Sequence, residues 1–136
     1  MSKDTAFELA NSNIRFGPGI TREIGMDLAD MGIHHVMVLT DPNLAQMAPV
    51  ATVLQSLSDE KVTFTLYDRV RVEPSDESFK DAINFARAES FDSFVAVGGG
   101  STIDTAKAAN LYYCHPDDFF AYINAPIGQG KPVPGE

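Results

Sequence analysis

The chain has 136 residues, 44% of them hydrophobic and 21% charged, which is enough for one domain with a sizeable core. Its formal net charge of −9 argues against nucleic acid and anionic membrane as partners, and no apolar run reaches the length that spans a bilayer. Cys114 is the only cysteine, which excludes an internal disulfide and a cysteine-based zinc site and points to a reducing compartment.

Met1 to Ala10 carries Asp4 and Glu8 and shows neither a secretory apolar region nor an Arg-rich transit pattern. Asn13–Gly17 reads as a short strand with Arg15 as a solvated edge charge, ending in the turn Gly17-Pro18-Gly19. Ile20, Ile24, Leu28 and Met31 then recur near helical spacing, with Thr21 placed to cap and Gly32 to close the helix. His35–Leu39 is a buried-type strand running into Thr40-Asp41-Pro42-Asn43. Open α/β sheets gather ligands at the carboxyl ends of their strands, where Asp41 stands. Its carboxylate can accept from both hydroxyls of an adenosine ribose and would repel a 2′-phosphate. It can equally cap the next helix, with Pro42 at the first helical position.

Leu44–Ser58 reads as a helix with Val50, Val53, Leu54 and Leu57 inward, and Val62–Tyr67 as a β-branched strand. Ser75–Ala88 follows as a helix capped by Ser75, with Phe79, Ile83 and Ala86 inward. Phe94–Val97 is a short apolar run of the kind buried on both faces of a parallel sheet. It leads into Gly98, Gly99 and Gly100 and then into Ala-rich sequence, with Ser101 placed to cap a helix and Asp104 at capping-box spacing. Strand, glycine turn and helix start make an anion site, because outward backbone N–H groups and the helix dipole meet where no side chain blocks a phosphate. The turn lacks the third glycine of a dinucleotide fingerprint, Ile103 standing in its place, and no Gly-Lys-Ser/Thr follows as in a Walker A loop. A tight turn serving close helix–strand packing is the alternative. Beyond this helix, His115-Pro116 breaks the chain, Asp118–Ile123 reads as a short helical turn, and Ala125–Pro134 as an extended Pro/Gly-rich segment. His34 and His35 are adjacent and point to opposite faces, so they do not suggest a shared metal, and His115 reads as a solvated helix-end cation. Cys114, beside Tyr112 and Tyr113, reads as buried packing.

The string Gly-Gly-Gly-Ser-x-x-Asp-x-x-Lys, Gly98 to Lys107, resembles the nucleotide-binding loop of the iron-containing alcohol dehydrogenase family. Asn13 to Gly25 resembles that family's opening strand and helix, and Val72-Glu73-Pro74 resembles its transhydrogenase branch, where other members carry Pro-Asn-Pro-Thr. The resemblance implies an α/β, three-layer Rossmann-like (dehydroquinate-synthase-like) fold with a mainly parallel sheet and Phe94–Val97 flanked by strands on both sides. It implies NAD(H), with Asp41 on the adenosine ribose, Gly98, Gly99, Gly100 and Ser101 on the phosphates, and Asp104 and Glu73 beside the cofactor. Asp41 precedes Gly98 by 57 residues, the inverse of the Rossmann order, as this family requires. Glu73 can accept a hydrogen bond but cannot donate one as asparagine does.

By the same resemblance, residues 1–136 form an N-terminal dinucleotide-binding domain that is incomplete relative to the family and holds no catalytic residue. The divalent metal, iron or zinc, would be held by an Asp and three His of a helical domain beyond Glu136. The implied chemistry is hydride transfer from a small hydroxy acid (4-hydroxybutyrate) to an oxo acid (2-oxoglutarate). The branch is mitochondrial; the absence of a transit pattern leaves the cytoplasm as the alternative. A nucleotide-binding or interaction module without turnover is the competing reading, and an unpaired sheet edge predicts self-association.

Overall fold

The computed structural model describes residues 12–134. Its centre is β1 (His35–Leu39), whose residues from Val36 onward are fully buried. A run without charges can sit there because strands flank it on both edges and helices cover both faces. β2 (Thr63–Tyr67) and β3 (Ser93–Ala96) pair with it in parallel, in the order β2-β1-β3, with Val38 opposite Leu66 on one side and Val95 on the other.

Side chains alternate along β1, so Val36 and Val38 face one helical layer and Met37 and Leu39 the other. The first layer is α1 (Ile24–Asp30) and α2 (Ala48–Asp59), which bring Leu28, Val53 and Leu57. The second is α3 (Asp76–Arg87) and α4 (Gly100–Cys114), which bring Ala82, Ala86, Ala106 and Ala109 against Tyr67 and Phe91. The three-layer α/β arrangement with a parallel sheet is therefore as the sequence implies. Small residues on α3 and α4 let those helices lie close to the sheet and to each other. Gly25 does the same for α1: a Cβ there would lie 2.0 Å from the Ser56 carbonyl oxygen. Ser56 Oγ accepts the Gly25 N–H at 2.9 Å and donates to the Arg22 carbonyl at 2.7 Å, tying the entry of α1 to α2.

Several expectations fail locally. Residues 12–16 form no strand, and Ile14 and Phe16 are exposed. Arg15 is not merely solvated; it pairs with Glu23 and Asp27, which holds this segment against α1 rather than along a sheet edge. A 3-10 turn, Ile20–Glu23, precedes α1, so Thr21 is no cap, and Met31 faces solvent. Helix α2 begins at Ala48 rather than Leu44, because the ring of Pro49 would clash with the Ala45 carbonyl in a continuous helix. A separate 3-10 turn, Leu44–Gln46, occupies the interval. Ser75 caps α3 as expected, in a capping box with Ser78.

Among the described residues β3 lies at the sheet edge rather than between two strands. The described chain beyond α4 is proline-rich and turns back on itself, so it offers no ladder to the outer side of β3. Asp118–Ile123 is not helical: Gln129, Gly130 and Lys131 donate to the carbonyls of Phe120, Ile123 and Ala121, which fixes a looped conformation instead. Cys114 is exposed rather than packed, since the face of α4 on the core is set by Ala106, Ala109 and Tyr112.

Candidate functional site

The topology marks one place on the sheet. From β1 the chain leaves toward α2 on one face, and from neighbouring β3 toward α4 on the other. Two adjacent parallel strands whose connections depart to opposite faces leave a crevice between their carboxyl ends, the switch point where open α/β sheets bind ligands. Asp41 follows β1 there, and Gly98 to Ser101 follow β3.

Thr40 forms the floor of this crevice. Its fully buried hydroxyl donates to the Val97 carbonyl at 2.8 Å, its N–H donates to Tyr67 at 2.9 Å, and its carbonyl accepts from Val70 at 3.2 Å. One residue thus joins the carboxyl ends of all three strands, and it holds Asp41 and Gly98 on either side of the β1–β3 seam.

The glycines divide into two roles. A Cβ on Gly98 would sit 2.4 Å from Thr102 Oγ1, and Thr102 is buried, so this glycine lets α4 pack on the end of β3. Gly99 and Gly100 have open space above them, with nothing within 4 Å of a notional Cβ. Helix α4 starts at Gly100 with Gly99 as its cap residue, so Ser101 lies inside the first turn and is not the cap, and the capping box with Asp104 does not form. The Gly99 carbonyl accepts from Thr102 and Ile103, which leaves the N–H groups of Gly99, Gly100 and Ser101 without an acceptor among the described residues. Those donors point where a phosphate would be favoured by the helix dipole.

Asp41 acts as the cap the sequence allowed, and it does so with one oxygen, Oδ1. Oδ1 accepts from the N–H groups of Asn43 and Leu44 at 2.8 and 2.9 Å, a cap for the short turn that follows. Glu73 enters the site through its backbone: its N–H donates to Ser101 Oγ at 3.2 Å, and its φ of 55° places a non-glycine residue in the left-handed region. Such a conformation costs on the order of 1 kcal/mol or more. Asp104 lies one turn beyond Gly100 on the same helical face and is exposed.

The segment after β2 is anchored by Asp81, which accepts from Arg69 at 2.9 and 3.2 Å and from the Tyr67 hydroxyl at 2.8 Å. The Arg69 hydrogen bonds, then the one from Tyr67, hold the Asp81 carboxyl below its usual range, while burial and then Asp81 push the Tyr67 hydroxyl upward. At the opposite, amino end of the sheet, Asp92 accepts the N–H groups of His34 and His35, and Glu89 accepts from Thr65 at 2.9 Å and pairs with the His35 ring at 3.0 Å. Among the described residues no group of three or more His, Cys, Asp or Glu could hold a metal ion. A groove of about 420 Å³ runs along α2 past Arg22, Thr52 and Gln55 and includes none of the switch-point residues. Sequence reasoning passed over Thr40 and Thr102. The signal for both was a threonine bordering a buried run, where an unpaired hydroxyl would be costly.

A parallel sheet with helices on both faces and a glycine turn at its switch point belongs to the Rossmann-like α/β class. The profile of iron-containing alcohol dehydrogenases matches residues 11–135, and the chain belongs to that family. The mitochondrial hydroxyacid-oxoacid transhydrogenase of Rattus norvegicus is 60% identical over 131 residues, covering 96% of this chain and 28% of that protein. Its Homo sapiens counterpart is 56% identical over the same length, with the same shares covered. Among solved structures, the NADH-dependent butanol dehydrogenase A of Thermotoga maritima superposes with a TM-score of 0.77 at 26% identity, over 85% of this chain and 29% of that one. An alcohol dehydrogenase from Oenococcus oeni gives 0.71 at 32% identity, over 76% and 28%. The chain spans a little over a quarter of the length of the curated relatives it matches.

Proposed function

We propose that residues 1–136 are the NAD(H)-binding part of a metal-dependent hydroxyacid-oxoacid transhydrogenase located in mitochondria. The observation that carries this reading is the switch point itself: the N–H groups of Gly99, Gly100 and Ser101 have no acceptor among the described residues, open space lies over Gly99 and Gly100, and Asp41 keeps one carboxylate oxygen outside its cap across the seam. The identity to the transhydrogenases selects the branch.

In this reading Gly99, Gly100 and Ser101 hold the pyrophosphate through N–H groups, without needing a lysine or arginine in an acidic chain. Gly98 keeps α4 close enough to present them, Asp41 takes the ribose hydroxyls, and Asp104 and Glu73 border the site. The nicotinamide, when bound, supplies a hydride acceptor and donor for 4-hydroxybutyrate and 2-oxoglutarate, giving succinate semialdehyde and 2-hydroxyglutarate. The described residues offer no set of three or more His, Cys, Asp or Glu to a catalytic metal, which in this reading another part of the protein supplies. The chain by itself binds nucleotide without turning over.

Calorimetric titration of the 136-residue chain with NAD tests the reading. Saturable binding is expected, with no oxidation of 4-hydroxybutyrate until the remaining part of the enzyme is supplied. No heat at millimolar NAD would overturn it. The outer side of β3, unpaired among the described residues and carrying half-buried Phe94, Val95 and Ala96, further supports self-association of the isolated chain. Sedimentation showing a monodisperse monomer at high concentration would contradict that part.

A further inference from the structure

Residues 71–74 cross the mouth of the switch point between two firm anchors, Val70 on the Thr40 carbonyl and Ser75 in its capping box. Arg71, Val72 and Glu73 are exposed. Between those anchors the segment makes one hydrogen bond to the rest of the described chain, from Glu73 N–H to Ser101 Oγ at 3.2 Å. That bond is long, and the residue that makes it sits at a φ of 55° that glycine would adopt more readily. A strained residue held by one weak contact is held by something else as well, or only some of the time.

The acceptor explains how. A serine hydroxyl offers one donor and two lone pairs. Ser101 Oγ spends a lone pair on Glu73, and its hydrogen is committed to no acceptor among the described residues. It lies in the first turn of α4, beside the free N–H groups of Gly99 and Gly100. A phosphate seated on those groups would take the hydroxyl hydrogen, and a hydroxyl that donates to an anion becomes the better acceptor on its other side. We propose that Ser101 relays occupancy of the phosphate site to residues 71–74, so that Glu73 is a positioning residue set in place by the bound nucleotide. This rests on the reading of the switch point as a dinucleotide site. The consequence is an order of events: the loop that borders the cofactor tightens once the pyrophosphate has arrived.

The test is amide hydrogen exchange at Glu73 in the 136-residue chain, with and without saturating NAD, and with adenosine as a phosphate-free control. Protection of the Glu73 amide should rise roughly five- to tenfold with NAD, the equilibrium worth of one strengthened hydrogen bond. Adenosine should not raise it. Ser101→Thr keeps the hydroxyl and should keep the response, whereas Ser101→Ala, which loses a phosphate donor, should bind NAD more weakly and, compared at saturation, should lose the response. If NAD binds and the Glu73 amide responds equally in Ser101→Ala, or fails to respond in the unmodified chain, the relay is wrong while the nucleotide site stands. If the unmodified chain binds no NAD, both are wrong.

Discussion

Cofactor choice should turn on Asp41. Its Oδ1 is engaged by Asn43 and Leu44, so a ribose must be met by the remaining oxygen, and a 2′-phosphate would be brought against the same carboxylate. Two like charges near 4 Å repel by about 1 kcal/mol in water and about 4 kcal/mol at an effective dielectric of 20. The lost ribose hydrogen bonds add about 1 to 3 kcal/mol. Together these come to about 2 kcal/mol or more, so NAD should be preferred to NADP by at least about thirtyfold. Asp41→Ser keeps an acceptor for the Asn43 and Leu44 amides, and Asp41→Gly should cost only a few tenths of a kcal/mol in stability. Both should narrow the preference chiefly by improving NADP, because the phosphate donors on Gly99 to Ser101 are untouched. Paired calorimetric titrations with NAD and NADP on the three proteins measure this directly. Equal affinities in the unmodified chain would reduce Asp41 to a turn cap.

Gly25→Ala should destabilise the fold by about 1 to 3 kcal/mol, since its Cβ would collide with backbone at Ser56; an unchanged urea midpoint would refute the packing. Gly98→Ala should also lose stability, through Thr102, and regain part of it in the Gly98→Ala/Thr102→Ala double variant, whereas Gly99→Ala should leave the urea midpoint nearly unchanged and weaken NAD. Asp81 titrates below its unfolded value near about 4, so its contribution is present above that pH and lost as pH falls through the lower folded value. Half-exposed as it is, this pair is worth under about 1 kcal/mol. Asp81→Asn should flatten the urea midpoint between pH 5 and about 2 by that amount and no more. Tyr67 acts in the opposite direction, its share being present below about pH 10 and lost above it.

The sheet was legible because β1 is a short apolar run, β2 alternates with β-branched residues, and β3 is a mostly apolar run leading into glycines. The glycine turn was legible too, three glycines leaving little but a close approach to explain them. What could not be read were contacts made across many residues. Thr40 gains its meaning from Val97, and Ser101 from Glu73, neither within a local window. Apolar spacing alone extends α2 back to Leu44, although Pro49, whose ring forbids that continuation, stands in the sequence. Asn13–Gly17 has the propensity of a strand, but propensity says nothing of where Arg15 finds its carboxylates.

The central place of β1 also sets a timetable for synthesis. When Tyr67 has left the ribosome, β1, α2 and β2 can close a local unit covered on the side of Leu28 and Val53. Its other side, with Met37, Leu39 and Tyr67, has nothing to lie against until α3 and then α4 have been made. For that interval a nascent chain carries a bare apolar sheet face, the kind of surface on which chaperones act and aggregates begin. The Thr40 hydroxyl meets the Val97 carbonyl only once β3 has been made, after α3, so the crevice takes shape as α4 docks.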